Sequence, residues 1–136
     1  MAKKARSKSY SRTKGHSYEC KIAAELRELG FEGVVTSRSE SKSMDDNKVD
    51  LIDKNGILPC NIQLKCTKAT PQYFKIREES TVENKSFVLI WNKQETKLVN
   101  ICSVGEVVMI DKQFFYELIK QYLKNGKRNK VSSKSK

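Results

Sequence analysis

The sequence has no apolar run long enough to cross a bilayer; the longest, Phe87–Trp91 and Val107–Ile110, fall far short of a membrane span. None of its four cysteines (Cys20, Cys60, Cys66, Cys102) forms a Cys-x-x-Cys pair. A zinc site or disulfide framework is therefore not expected, and the cysteines read as buried free thiols in a reducing compartment. No apolar stretch follows the basic N-terminus, where Ser, Arg and Lys stand instead, so no signal peptide is expected and the location reads as intracellular. Internal repeats are absent too. What remains is a chain of 136 residues, 38% hydrophobic, with room for one domain around one core.

Acidic residues are missing from both ends. Residues 1–14 hold six Lys/Arg and no acid, and residues 124–136 hold six more and no acid. Setting these twelve aside from the 27 basic residues leaves fifteen against all 16 acids, so the net charge of +11 resides in the ends. The expected organisation is a basic, disordered arm (1–14), a near-neutral folded domain (15–124) and a basic, disordered tail (125–136). Polycationic arms suit nucleic acid, because neutralising phosphates releases counterions without a fixed shape. They also suit a solubilising tail or a ribosomal or nuclear-type address.

Hydrophobic spacing predicts the elements. Tyr18, Ile22, Leu26 and Leu29 recur at helical intervals, with Ser17 as cap and Gly30 as stop. A short strand is expected around Val34–Thr36, then a polar, mobile loop over 39–48 whose Asp45 and Asp46 read as solvation. Val49–Asp53 and Ile57–Thr67 read as strands joined by the Asn55-Gly56 turn. Thr70-Pro71 should start a short helix ending near Glu79, with Tyr73 and Phe74 in the core. Phe87–Asn92 and Lys97–Cys102 read as a second hairpin, with Trp91 packing, and Glu106–Ile110 as a further strand. A last helix, capped by Asp111, should turn Phe114, Phe115, Leu118, Ile119 and Tyr122 inward and stop at Asn125-Gly126. The sum is one α/β domain around a mixed β-sheet flanked by helices.

Chemistry concentrates on Asn61–Thr67. Alternation sends Ile62, Leu64 and Cys66 to one face and Asn61, Gln63, Lys65 and Thr67 to the other. If the hairpin pairs as its turn implies, Asp50 adjoins Gln63, bringing a carboxylate, an amide oxygen and an ammonium together. Phosphodiester hydrolysis uses such parts. Mg²⁺ takes one or two carboxylates and keeps waters and phosphate oxygens, and a neighbouring lysine can orient the water and stabilise transition-state charge. Each residue also has a plainer reading: Asp50 as a turn residue at a strand entry, Gln63 and Lys65 as the solvated face of an edge strand, Glu19 as a complement to a helix dipole, Arg38 as a surface cation.

The order Lys14-Gly15-His16-Ser17-Tyr18-Glu19, Leu29-Gly30-Phe31, Arg38 with its Ser-rich loop, Val49-Asp50-Leu51-Ile52 and Ile62-Gln63-Leu64-Lys65 resembles the PD-(D/E)XK, or restriction-endonuclease-like, nucleases. Within them it is most similar to archaeal and viral Holliday-junction resolvases, over roughly residues 14–110. The resemblance implies a restriction-endonuclease-like fold and a Mg²⁺- or Mn²⁺-dependent endonuclease acting as a homodimer on branched DNA. It places the chain in a cytoplasm, a nucleoid or the cytoplasm of a virus-infected host. It implies Asp50 as principal metal ligand, Gln63 and the Leu64 carbonyl completing the shell, Lys65 at the attacking water, and Glu19 on a second ion or a water. Arg38 and Ser39 (or Ser41) would meet the scissile phosphate or the metal-site waters, with Lys14 and His16 on DNA. The main departure is Gln63, where resolvases usually carry Glu. That keeps two other readings open: a restriction-like or nicking enzyme on duplex DNA, and a non-catalytic nucleic-acid-binding protein with a nuclease fold.

Overall fold

The computed structural model describes the backbone of residues 8–40, 49–80 and 85–134 and the side chains of 13–38, 49–80 and 85–126. In chain order the elements are α1 (Lys8–Glu28), β1 (Val34–Thr36), the one-turn helix α2 (Ser37–Glu40), β2 (Leu51–Asp53), β3 (Cys60–Thr67), α3 (Tyr73–Glu79), β4 (Ser86–Lys97), β5 (Asn100–Met109) and α4 (Lys112–Lys134). The strands form one mixed sheet in the order β1-β2-β3-β4-β5, parallel only between β3 and β4. This is the expected α/β class in a single domain. Among the described residues, no helix is long and apolar enough to cross a membrane.

A parallel pair needs a crossover, and the 68–85 segment carrying α3 supplies it. Tyr73 and Ile76 of α3 pack on Phe87, Leu89 and Trp91, which face one side of the sheet. Opposite, Tyr18 and Ile22 of α1 meet Leu51, Ile62, Leu64 and Val88. With cover on both faces, β3 is buried from Asn61 to Leu64, as parallel strands usually are. The polar face expected for Asn61 and Gln63 is therefore not solvated: they are 5% and 6% exposed.

Two glycines act where the sequence placed them. Gly30 closes α1 at φ 119°, while its N–H reaches Arg27 O and the Phe31 N–H reaches Leu26 O. This is a Schellman stop, with Phe31 and Leu26 packed on the same core cluster. Gly56, at φ 69°, shapes the turn from β2 towards β3, where Asp53 accepts the N–H groups of Asn55, Ile57 and Leu58.

Elsewhere the elements differ from expectation for identifiable reasons. Helix α1 begins at Lys8, leaving Ser17 in mid-helix, and α4 continues through Asn125-Gly126 to Lys134. Both terminal helices thus extend into the segments expected as disordered arms. Helix α3 starts at Tyr73 after Gln72, two residues beyond the Thr70-Pro71 signal. The three strands expected after residue 86 are two long ones, turning at Leu98-Val99. The polar run that suggested a break is instead paired: Gln94 donates to Asn92 at 3.0 Å, and the Ser103 hydroxyl donates to the same Asn92 oxygen. Cys20 lies exposed on the outer flank of α1 rather than buried, while the other three thiols are half-buried and all four are free. Phe74 is 72% exposed, not core, and of the five aromatic and aliphatic residues expected to turn inward on α4, only Phe114 is buried. Ser41, Asp45 and Asp46 lie outside the described residues.

Candidate active site

The site forms where β2 and β3 part. The Ser37 N–H donates to Asp50 O at 2.8 Å, Leu51 pairs with Ile62, and Gln63 pairs with Leu89. Ser37, Asp50, Gln63 and Leu89 thus stand in one row across four neighbouring strand segments. The expected adjacency of Asp50 and Gln63 follows from this register. Strands β2 and β3 share only the Leu51–Ile62 rung, and the Asp50 carboxylate takes up the next opening. Its Oδ2 accepts the Leu64 N–H at 2.7 Å. Because a strand residue sends its N–H and C=O to the same edge, the Leu64 carbonyl also faces this opening.

Glu19 approaches from α1. It is 4% exposed, with Arg38 Nη2 at 3.3 Å from Oε1 and His16 Nδ1 at 3.5 Å from Oε2. Burial, and next the charge of Asp50, push the Glu19 carboxyl above the usual carboxylate range, against the weaker pull of Arg38 and His16. Two carboxylates thus share a desolvated place, with two half-exposed basic groups at its rim. Beside the rim, a cleft of about 290 Å³ is lined by His16, Cys20, Ala23, Arg27, Val35 and Thr36.

Three buried oxygens here have no hydrogen-bond partner among the described residues: Gln63 Oε1, Ser37 Oγ and Glu19 Oε2, the last meeting only the longer ion-pair contact with His16. A fourth such atom, the Tyr18 hydroxyl, sits near Glu106 instead. Leaving a buried acceptor unpaired costs about 1–3 kcal/mol, and native proteins keep few such atoms. Three around one carboxylate would suit a ligand that accepts oxygen lone pairs. The donor set of two carboxylates, an amide oxygen and a hydroxyl is hard, and it fits Mg²⁺ or Mn²⁺. Among the described residues, no three His, Cys, Asp or Glu side chains gather into a metal cluster. Among the described residues the carboxylates of this group are Glu19 and Asp50, and the third oxygen belongs to the Gln63 amide.

Comparison with protein-family models, curated proteins and solved structures finds no match for this chain.

Lys65 follows Gln63 on the same face of β3, half-buried and in register with Trp91. Its ammonium makes no ion pair or hydrogen bond with a described residue. Trp91 is fixed beside it by an indole N–H that donates to Thr67 O at 3.1 Å and to Thr67 Oγ1 at 3.2 Å. The other candidates are divided. Arg38 and His16 join the group through Glu19. The Lys14 ammonium donates to Gln94 at 2.7 Å, so it holds α1 against β4 and is not among the groups around Asp50. Ser39 belongs to α2, and its side chain lies outside the described residues. Sequence reasoning passed over Ser37, which is fully buried in the Asp50 row. Its only signal was its place directly before Arg38 at the end of a predicted strand.

Proposed function

We propose that this chain is a divalent-metal-dependent DNA endonuclease with Asp50, Gln63, Lys65 and Glu19 as its catalytic group. The observation that carries this reading is the set of buried oxygens without a hydrogen bond among the described residues, Ser37 Oγ and Gln63 Oε1 in the Asp50 row and Glu19 Oε2 on the helix beside it, with Lys65, which pairs with no described residue, two positions along the strand face of Gln63. Asp50, Gln63, Glu19 and the Leu64 carbonyl would hold Mg²⁺ or Mn²⁺. A bound ion would polarise the scissile phosphate and lower the pKa of a water. The Lys65 ammonium orients the attacking water and offsets negative charge as it builds on phosphorus. Arg38, 40% exposed and paired with Glu19, would meet a phosphate oxygen at the rim while keeping Glu19 oriented. His16 at the same rim suits a backbone phosphate.

The basic termini support DNA as the polymer, since a net +11 concentrated in two segments attracts phosphate regardless of sequence. The order of motifs favours a four-way junction. Gln63 in place of Glu favours instead a restriction-like or nicking enzyme on duplex DNA. One experiment tests all of this: purified protein with Mg²⁺ or Mn²⁺, offered four-way junction, duplex and single-stranded DNA, with Asp50→Ala in parallel. Cleavage of the junction that Asp50→Ala lacks is the expected result. Duplex cutting in preference moves the enzyme to the restriction-like reading. Binding without cleavage under either ion sinks the enzymatic proposal.

A further inference from the structure

The indole of Trp91 is held from two sides. It is buried with Phe87 and Leu89 in the cluster on which Tyr73 and Ile76 of α3 pack. Its polar edge is tied to β3, where the indole N–H is shared between Thr67 O at 3.1 Å and Thr67 Oγ1 at 3.2 Å. Thr67 is oriented in turn. Its hydroxyl donates to Ala69 O at 2.8 Å, which leaves its lone pairs to the indole.

The register gives this clamp a direction. Trp91 stands opposite Lys65, not Thr67, on parallel strands about 4.8 Å apart, and alternation puts Lys65, Thr67 and Trp91 on one face. To reach Thr67 from a place opposite Lys65, the ring must run two residues along the sheet, past the Lys65 stem. It therefore walls off the Thr67 side of Lys65. The Gln63 side stays open, and that is the side of Asp50. The Lys65 ammonium makes no ion pair or hydrogen bond with a described residue, so among these residues packing alone sets its direction. A flexible four-carbon stem loses its place readily without such a wall.

We infer that Trp91, anchored on Thr67, is a positioning residue that aims the Lys65 ammonium at the Asp50–Gln63 group. The inference rests on the proposal that Lys65 acts at the attacking water. Trp91 itself touches no reacting atom; it acts through the lysine. Its indole N–H matters more than its bulk, because without the bond to Thr67 the ring is free to tilt and the wall beside the lysine opens. A displacement of about 1 Å in a reacting group can cost on the order of a hundredfold in rate, so the effect belongs in turnover and not in substrate affinity.

The test pairs cleavage kinetics of the full chain with amine labelling, using a limiting pulse of acetic anhydride mapped by mass spectrometry. Trp91→Phe keeps an aromatic ring in the core and removes the N–H. Its kcat should fall by about ten- to a hundredfold while KM for DNA stays unchanged. Lys65 should meanwhile be acetylated severalfold faster than in the wild type, with the other lysines unaffected. Thr67→Val removes one of the two acceptors and should move both readings the same way by less. Thr67→Ser keeps that acceptor and should match the wild type, an outcome that a role in packing alone would not separate from Thr67→Val. If Trp91→Phe loses the far-UV circular dichroism of the wild type, Thr67→Val decides. Lys65 labelling unchanged in the folded variants overturns the inference, and so does an unchanged kcat in a protein that cuts DNA. A wild type that cuts no DNA refutes the nuclease proposal instead. The labelling still decides whether Trp91 holds the ammonium, since it needs no turnover.

Discussion

Gln63 offers a test in which stability and ion binding move in opposite directions. Its Oε1 is buried without a partner, and the residue is 6% exposed. Gln63→Leu keeps the bulk, removes the unpaired acceptor and lies beside Leu89. In EDTA it should stabilise the fold by about 1–2 kcal/mol, the lower part of the penalty for a buried unsatisfied group. For a domain of this size that is a melting temperature higher by on the order of 5 °C. Gln63→Glu does the reverse. It adds a third carboxyl beside Asp50 and near Glu19, whose own carboxyl already resists ionisation through burial and the charge of Asp50. An unpaired buried charge costs about 3–5 kcal/mol, so this variant should melt lowest in EDTA. Saturating Mn²⁺ should then rescue it most, since ion at a hundred times its Kd adds about 2.7 kcal/mol. Wild type should gain less, and Gln63→Leu nothing. Thermal melts of the three proteins in EDTA and across a Mn²⁺ series decide the matter. A Gln63→Leu that is less stable than wild type in EDTA would mean Oε1 has a partner. An ion response equal in all three would mean Gln63 does not face the ion, and the account of the site fails.

Lys65→Ala should leave no detectable turnover while retaining Mn²⁺-dependent stabilisation, read by pairing the cleavage assay with the same melts. Without ions, Glu19 binds its proton more tightly folded than unfolded, so stability should fall as pH rises from the ordinary carboxylate range through its raised folded pKa; Glu19→Gln should flatten that decline, and an unchanged profile would locate the effect elsewhere. Leu98 holds φ 56° at the first position of the two-residue β4–β5 turn, where glycine fits without strain, so Leu98→Gly should stabilise by about 1 kcal/mol in urea denaturation. Deleting residues 1–7 and 127–136 should flatten the log–log salt dependence of DNA affinity for every DNA shape alike, and an unchanged slope would place the binding surface within the remainder.

The fold was legible wherever local chemistry and tertiary structure agree. The Gly30 stop, the Asn55-Gly56 turn and the Asp111 cap (its Oδ1 accepts the Phe114 N–H at 2.8 Å) each act within a few residues, so their signals lie in the sequence itself. The misplacements share one cause. Asn92 and Gln94 look like a loop because they are polar, but they are buried at 8% and 4% exposure and satisfied by Ser103 and Lys14 from distant elements. No window along the chain contains those partners. The same holds for α4: spacing identified an apolar face correctly, but spacing cannot say whether that face meets the protein's own core or stays outside it.

The candidate site divides along the same line. That Asp50 comes near Gln63 was readable only in outline: the Asn55-Gly56 signal announces that two strands return on each other, but residues 54–59 separate Asp53 from Cys60 and set a register two residues beyond that of a tight turn; alternation then puts Lys65 on the face of Gln63. Glu19 and Arg38 were readable only as a spacing of motifs; no local rule brings a helix and the end of β1 to the same carboxylate. Ser37 had no signal of its own, since a serine after a short strand is ordinary. Its burial arises because the Ser37 N–H extends the β1–β2 ladder to Asp50 O and draws the hydroxyl in with it. Asp50 is therefore held from both sides, by a backbone bond to β1 and a carboxylate bond to the Leu64 N–H. One carboxylate oxygen is thereby committed to the backbone. The ion, if it binds, must then rely on Gln63 and Glu19 more than a site with an unencumbered aspartate would.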